Sequence, residues 1–204
     1  MTRSDIPGAR RPLQARGRRR VGLILDAAAD MIGQGGVESL TMHGIAERSG
    51  TAIGSLYHFF PNLSAVVDEL FARQGQEMRG RLSALEDSAV DWAGLSIGEA
   101  VNQFLDPFLQ YFESHPEVLL VLQHKRAMGT PPDPQISALF LRLAESVVRA
   151  RQPGLSKPSQ EARAATVVAA IIGGVQFTVK VPQPSRPVMV QELRRLLAAY
   201  FDSE

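Results

Sequence analysis

Thirteen prolines divide this 204-residue chain into stretches of helix length. They gather at 7–12, 131–134, 153–158 and 182–187, with single residues at Pro61, Pro107 and Pro116. A proline lacks the backbone N–H and clashes with the preceding turn, so most helices stop at or before one. Between the prolines, apolar residues recur every three or four positions, the spacing that gives a helix one buried face. No segment has the alternating β-branched and aromatic pattern of a strand, and no repeat is visible. The expectation is an all-α fold of about nine helices, over 18–34, 42–49, 52–60, 64–85, 96–114, 116–128, 134–151, 159–181 and 187–201.

A chain of this length buries roughly 70% of its unfolded surface and needs no metal or disulfide staple. With no cysteine, it can hold no disulfide, iron–sulfur cluster or Cys-based zinc site, and no thiol nucleophile. The longest near-apolar run, residues 167–175, falls far short of the ~20 residues that cross a bilayer. Arginines at the N-terminus have no apolar stretch behind them, unlike a secretory signal. The expected location is the cytoplasm, without a membrane partner.

Charge is unevenly spread. Residues 1–62 carry eight Arg and five acids, whereas residues 63–204 carry fourteen Lys and Arg against sixteen acids. The excess sits in the first twenty residues, where seven Arg face only Asp5. Residues 1–17 read as a basic, disordered arm, suited to nucleic acid or another anionic surface.

The stretch Thr41–Phe60, TMHGIAERSGTAIGSLYHFF, has the spacing of two short helices joined by a tight turn. A small residue, Ala46, stands where the second helix crosses the first. Gly50 follows four residues later for the turn, and Leu56 anchors the second helix six further on. Ile45, Phe59 and Phe60 extend this small core, and Thr41 is placed to cap the first helix. Ile53, Gly54, Tyr57 and His58 are left on the outer face, with Thr51 and Ser55 beside them. That face has no acid to repel phosphate. Its hydroxyls can position phosphates, His58 can meet a phosphate or a base edge, and Ile53 can meet a thymine methyl.

The residues Ile24-Leu25-Asp26-Ala27-Ala28, Met31-Ile32, Gly36, Thr41, Ile45-Ala46, Gly50 and Gly54-Ser55-Leu56-Tyr57-His58-Phe59-Phe60 resemble the DNA-binding domain of the TetR-family transcriptional regulators. The likeness spans about residues 18–70. It implies a homodimeric all-α repressor, with a three-helix DNA-binding domain over 18–62 and a helical ligand-binding and dimerisation domain over 63–204. It also implies a palindromic double-stranded operator and release by a small-molecule ligand. Thr41, Tyr57 and His58 match positions that commonly touch the DNA backbone, and Thr51–Ser55 matches the base-reading end. The expected DNA-binding set is Arg18, Arg19, Arg20, Thr41, His43, Thr51, Ala52, Ile53, Gly54, Ser55, Tyr57 and His58. The chain departs from the family pattern at Ala52, Ile53 and Leu63, where polar or basic residues are usual. Those departures keep an alternative open: a helical ligand-binding protein of the same fold with weak or lost operator binding.

In the second half, Phe104, Phe108, Tyr111 and Phe112 recur on one helical face interrupted by Pro107. Ordinary core packing accounts for such a stripe, and the resemblance adds the reading of a pocket for a small apolar or aromatic ligand. Trp92, Gln123, His124 and Met128 are further candidates, with His115 beside them. Residues 159–181 are apolar nearly all round and carry Gly173-Gly174 in mid-helix, which calls for a close helix–helix contact. With the stripe Leu193, Leu196, Leu197 and Tyr200 in 187–201, they could form a homodimer interface or an internal core. The four histidines form no metal-spaced pair, and no strand precedes Gly33-Gln34-Gly35-Gly36 as a phosphate loop would need. No catalytic constellation, metal site or cofactor is expected.

Overall fold

The computed structural model describes residues 10–178, 181 and 185–202. Among these residues it contains nine α-helices, one short 3-10 turn and no strand. The chain divides into two compact units, Met1–Ala72 and Arg73–Glu204.

In the first unit, α1 runs from Arg10–Gly35, starting eight residues before the expected Arg18. Residues 10–17 are therefore helical rather than an arm, and residues 1–9 lie outside the described residues. Pro12 does not prevent this, because it falls in the first turn, where its missing N–H costs nothing. Ile24, Leu25, Ala28 and Ile32 form the buried face of α1, while Met31 is only half-buried. The helix ends where Gly36 takes φ 78°, a conformation glycine adopts without strain. A 3-10 turn over Val37–Ser39 leads to α2, Met42–Ser49. As expected, the Thr41 hydroxyl caps α2, its Oγ1 accepting from the Gly44 N–H at 3.0 Å.

Gly50 closes α2 in the left-handed region (φ 62°, ψ 26°), and the Thr51 N–H donates back to the Ala46 carbonyl at 3.0 Å. The recognition-type helix α3 covers Ile53–Phe59, one residue shorter at each end than expected. Leu56 is completely buried beneath it, with Ile45 from α2 and Ile24 and Ile32 from α1 equally enclosed. Helix α4, Leu63–Asp87, opens with the Asn62 side chain accepting from the Ala65 N–H at 2.9 Å.

The second unit begins inside α4, at Arg73. It continues with α5 (Ile97–Ser114), α6 (Glu117–Ala127), α7 (Pro134–Arg151), α8 (Lys157–Thr178) and α9 (Arg186–Asp202). Ser96 and Glu99 form a reciprocal capping box at the start of α5. Asp133 caps α7, whose first residue is Pro134. Helices α7 and α8 pack along each other, and α9 lies against both α5 and α8. Arg151 ties the α4–α5 connection to α7, donating to the carbonyls of Trp92 (2.9 Å) and Leu95 (2.6 Å). The unit's core joins Met78, Leu82 and Leu85 of α4 to the apolar faces of α5 to α9.

Candidate nucleic-acid interface

The first unit supplies most of the candidate DNA-facing residues from α2, the turn and α3. Thr41, His43, Ala52, Gly54, Tyr57 and His58 are exposed, whereas Ile53 and Ser55 are half-buried. Thr51 departs from the expectation: its side chain is 6% exposed. The left-handed turn at Gly50 and the bond from Thr51 N–H to Ala46 fold this residue back against the unit. Its hydroxyl therefore does not stand on the outer face. Phe59, expected inside, is half-buried and meets the His58 ring edge-on, with centroids 5.5 Å apart.

The outer side of α3 carries no acid. A Cβ added to Gly54 would meet nothing within 4 Å, so the backbone is open to close approach. Tyr57 is 49% exposed and presents a hydroxyl. Gly44 has a different reason to be glycine: a Cβ there would lie 2.8 Å from Met31 Cε and 2.9 Å from Thr41 Oγ1, so α1 and α2 pack against bare backbone. Arg18, Arg19 and Arg20 are exposed on α1. Sequence reasoning passed over Arg48, the basic residue of α2, which donates to Gln34 Oε1 at 3.1 Å.

Two family models match this architecture. One, described as bacterial regulatory proteins of the tetR family, covers residues 24–75 and so contains the whole turn and α3. The other, the tetracyclin repressor-like C-terminal domain, covers residues 96–201. The chain belongs to the TetR family. Its members are non-enzymatic DNA-binding transcriptional regulators, and this chain is one of them.

Among curated TetR-family relatives, the uncharacterized HTH-type transcriptional regulator YhgD of Bacillus subtilis (strain 168) is 29% identical over 109 residues, covering 53% of this chain and 54% of that protein. The HTH-type transcriptional repressor KstR of Rhodococcus jostii (strain RHA1) is 34% identical over 58 residues, covering 28% of this chain and 27% of that protein. The matched segments thus span about half or less of these relatives' lengths. The TetR fold is shared with a TetR-like regulator from Rhodococcus sp. RHA1 (TM-score 0.61, 19% identity, 89% of this chain and 93% of that one). A TetR regulator from Haloarcula marismortui has a TM-score of 0.65 at 15% identity, over 91% and 98% of the two chains.

In the second TetR unit, the candidate ligand residues separate into groups. Trp92, Phe104 and Phe108 are buried in one aromatic run, with successive centroids 6.5 and 6.1 Å apart, which Phe140 of α7 extends at 5.0 Å. Tyr111 is buried and donates its hydroxyl to Glu77 Oε2 at 2.9 Å, with the Arg81 guanidinium 4.5 Å from its ring centre. Burial and the Glu77 carboxylate hold its hydroxyl protonated, well above the usual tyrosine range. Phe112 and His124 are half-buried. Gln123 is half-buried too and donates to the Gln176 carbonyl at 3.2 Å. Met128 stands apart, 72% exposed beyond the end of α6, where the chain turns at Gly129 with φ 82°. A void of about 10 Å³, no more than one water-sized sphere, remains between Phe104, Val147, Ile171, Leu197 and Phe201.

Among the described residues there is no group of three or more His, Asp or Glu that could hold a metal ion. No helix among them is long and apolar enough to cross a membrane.

Proposed function

We propose that this TetR-family regulator is a cytoplasmic bacterial repressor that binds a palindromic operator as a homodimer and leaves it when a small ligand occupies the second unit. The observation that carries the reading is the outer side of α3: acid-free, open at Gly54 and presenting Tyr57. Arg18, Arg19, Arg20, Thr41, His43, Ser55, Tyr57 and His58 are assigned to phosphates or base edges, and Ala52, Ile53 and Gly54 to close apolar approach in the major groove. Thr51 contributes through its backbone, as a brace for the turn.

Dimerisation is assigned to α8 and α9, which leave Phe177, Val188 and Leu196 at 56%, 62% and 55% exposure in the single chain. A two-fold dimer presents its recognition helices to successive major grooves, which makes the operator palindromic. The ligand is assigned to the aromatic run of Trp92, Phe104 and Phe108, together with Tyr111, Phe112, Gln123 and His124. These rings pack on one another, so a ligand that enters between them would part them, and that displacement would move α4. Few polar anchors in the run favour an apolar or aromatic ligand.

The test is selection of duplex DNA from a random pool by the purified protein at near-physiological salt. Enrichment of a palindrome is the expected result. A folded, dimeric protein that enriches no sequence would favour the alternative, a ligand-binding protein of this fold without an operator.

A further inference from the structure

Three rings of the aromatic run stand on helices, Phe104 and Phe108 on α5 and Phe140 on α7. The fourth, Trp92, comes from the irregular connection between α4 and α5. Among residues 88–95 it alone is buried, at 7% exposure; Val90 and Leu95 are half-buried and the rest are exposed. The indole is thus a single side chain pushed inward from a surface segment. It lies at the looser end of the run, where ring spacing widens from 5.0 Å at Phe108–Phe140 through 6.1 Å to 6.5 Å at Trp92–Phe104.

Few polar bonds hold this segment. The Trp92 N–H closes a short turn onto the Val90 carbonyl at 3.0 Å, and the Gly94 N–H donates to the Asp91 carbonyl and Oδ1, each at 3.2 Å. Ser88 bonds back to the Leu85 carbonyl at the end of α4. Ala89 has φ 48°, a left-handed conformation that residues with a Cβ seldom adopt. Beyond these local bonds, the hydrogen bonds that tie the segment to the rest of the described unit come from Arg151, the last residue of α7. Its Nη1 donates to the carbonyls of Trp92 and Leu95, on either side of the exposed Ala93-Gly94 tip.

That is the make-up of a movable closure: one apolar plug, two bonds that water can replace, and a strained joint behind them. We propose that residues 88–95 are a flap over the ligand site, with Trp92 as its plug and Arg151 as its latch. Opening withdraws the indole from Phe104 and leaves an apolar slot against that ring, suited to a planar aromatic or apolar molecule. The proposal rests on the reading of the aromatic run as the ligand site. Arg151 is a positioning residue within it, acting through the flap backbone.

Trp92 is the only tryptophan of the chain, so intrinsic fluorescence reports the flap. The first measurement is acrylamide quenching of the full chain without ligand, for the wild type, Arg151→Met and Arg151→Lys. The expected result is weak quenching in the wild type and a several-fold larger quenching constant in Arg151→Met at unchanged helix content. Arg151→Lys, which keeps a donor for the carbonyls, should recover most of the protection. Equal quenching in the wild type and Arg151→Met overturns the latch.

The second measurement is stopped-flow uptake of N-phenyl-1-naphthylamine, an uncharged aromatic dye that brightens in apolar surroundings. Entry through a flap makes the wild-type rate level off at the opening rate as dye concentration rises, and Arg151→Met should lift that plateau several-fold. A wild-type rate that stays proportional to dye overturns the flap, and this holds even if Arg151→Met does not fold. Unchanged quenching beside normal dye uptake removes the flap and leaves the ligand site standing. Raised quenching with no uptake by either protein removes the ligand site, and the entrance with it.

Discussion

Thr41 holds the start of a helix and still lies at the surface. Its Oγ1 caps α2 while the residue stays exposed. Thr41→Ala should lower unfolding stability by about 1 kcal/mol through removal of the cap, whereas Thr41→Ser should restore it, as urea denaturation would show. If the hydroxyl also meets phosphate, operator affinity of Thr41→Ala should fall even at temperatures where the variant is fully folded. The cap was legible in the sequence because a Thr directly precedes a helix-length apolar pattern. The burial of Thr51 was not, because it depends on how the left-handed Gly50 redirects the chain, which no spacing rule specifies. The burial of Gln74 was legible and passed over. It stands in the four-residue row Leu70, Gln74, Met78 and Leu82, where a polar side chain must enter the core.

At the scale of elements, the glycine pair in α8 separates two kinds of contact. A Cβ on Gly174 would lie 3.0 Å from both terminal methyls of Leu193, whereas one on Gly173 would meet nothing within 4 Å. Gly174 is thus the close contact of α8 with α9 inside the chain, and the core reading of this glycine holds. Gly174→Leu should force the two helices apart and cost about 1–3 kcal/mol in stability. Gly173→Leu should leave the single chain folded and, if the outward face of α8 pairs two copies, convert dimer to monomer in sedimentation velocity. A Gly173→Leu protein that stays dimeric would place the interface elsewhere. Helix number and most helix positions were readable from proline and apolar spacing. The ends were less so, as at α1, where a proline that looked like a stop lies in the first turn and the helix runs through it.

For the whole molecule, charge and connectivity matter most. Pro61 marks the break visible in the sequence, but the compact units divide between Ala72 and Arg73, inside α4. The backbone stays helical there while its partners change: Val66, Val67 and Leu70 are buried in the first unit, and Met78, Leu82 and Leu85 join the core of the second. Residues 21–62 hold one Arg and four acids, so attraction to phosphate must come from the arginines before them. Deleting residues 1–17 should weaken binding to every DNA sequence and flatten its salt dependence, by about 0.9 in slope for each phosphate no longer neutralised. An unchanged slope in fluorescence anisotropy titrations would exclude a role at phosphate for the four arginines removed, Arg3, Arg10, Arg11 and Arg16. Leu56 is the one buried residue of α3, so the letter that holds the fold and those we propose to meet DNA lie on opposite sides of a single short helix. A lineage can then rewrite the outward letters at little cost to folding, and operator preference is free to diverge among descendants that keep the same scaffold.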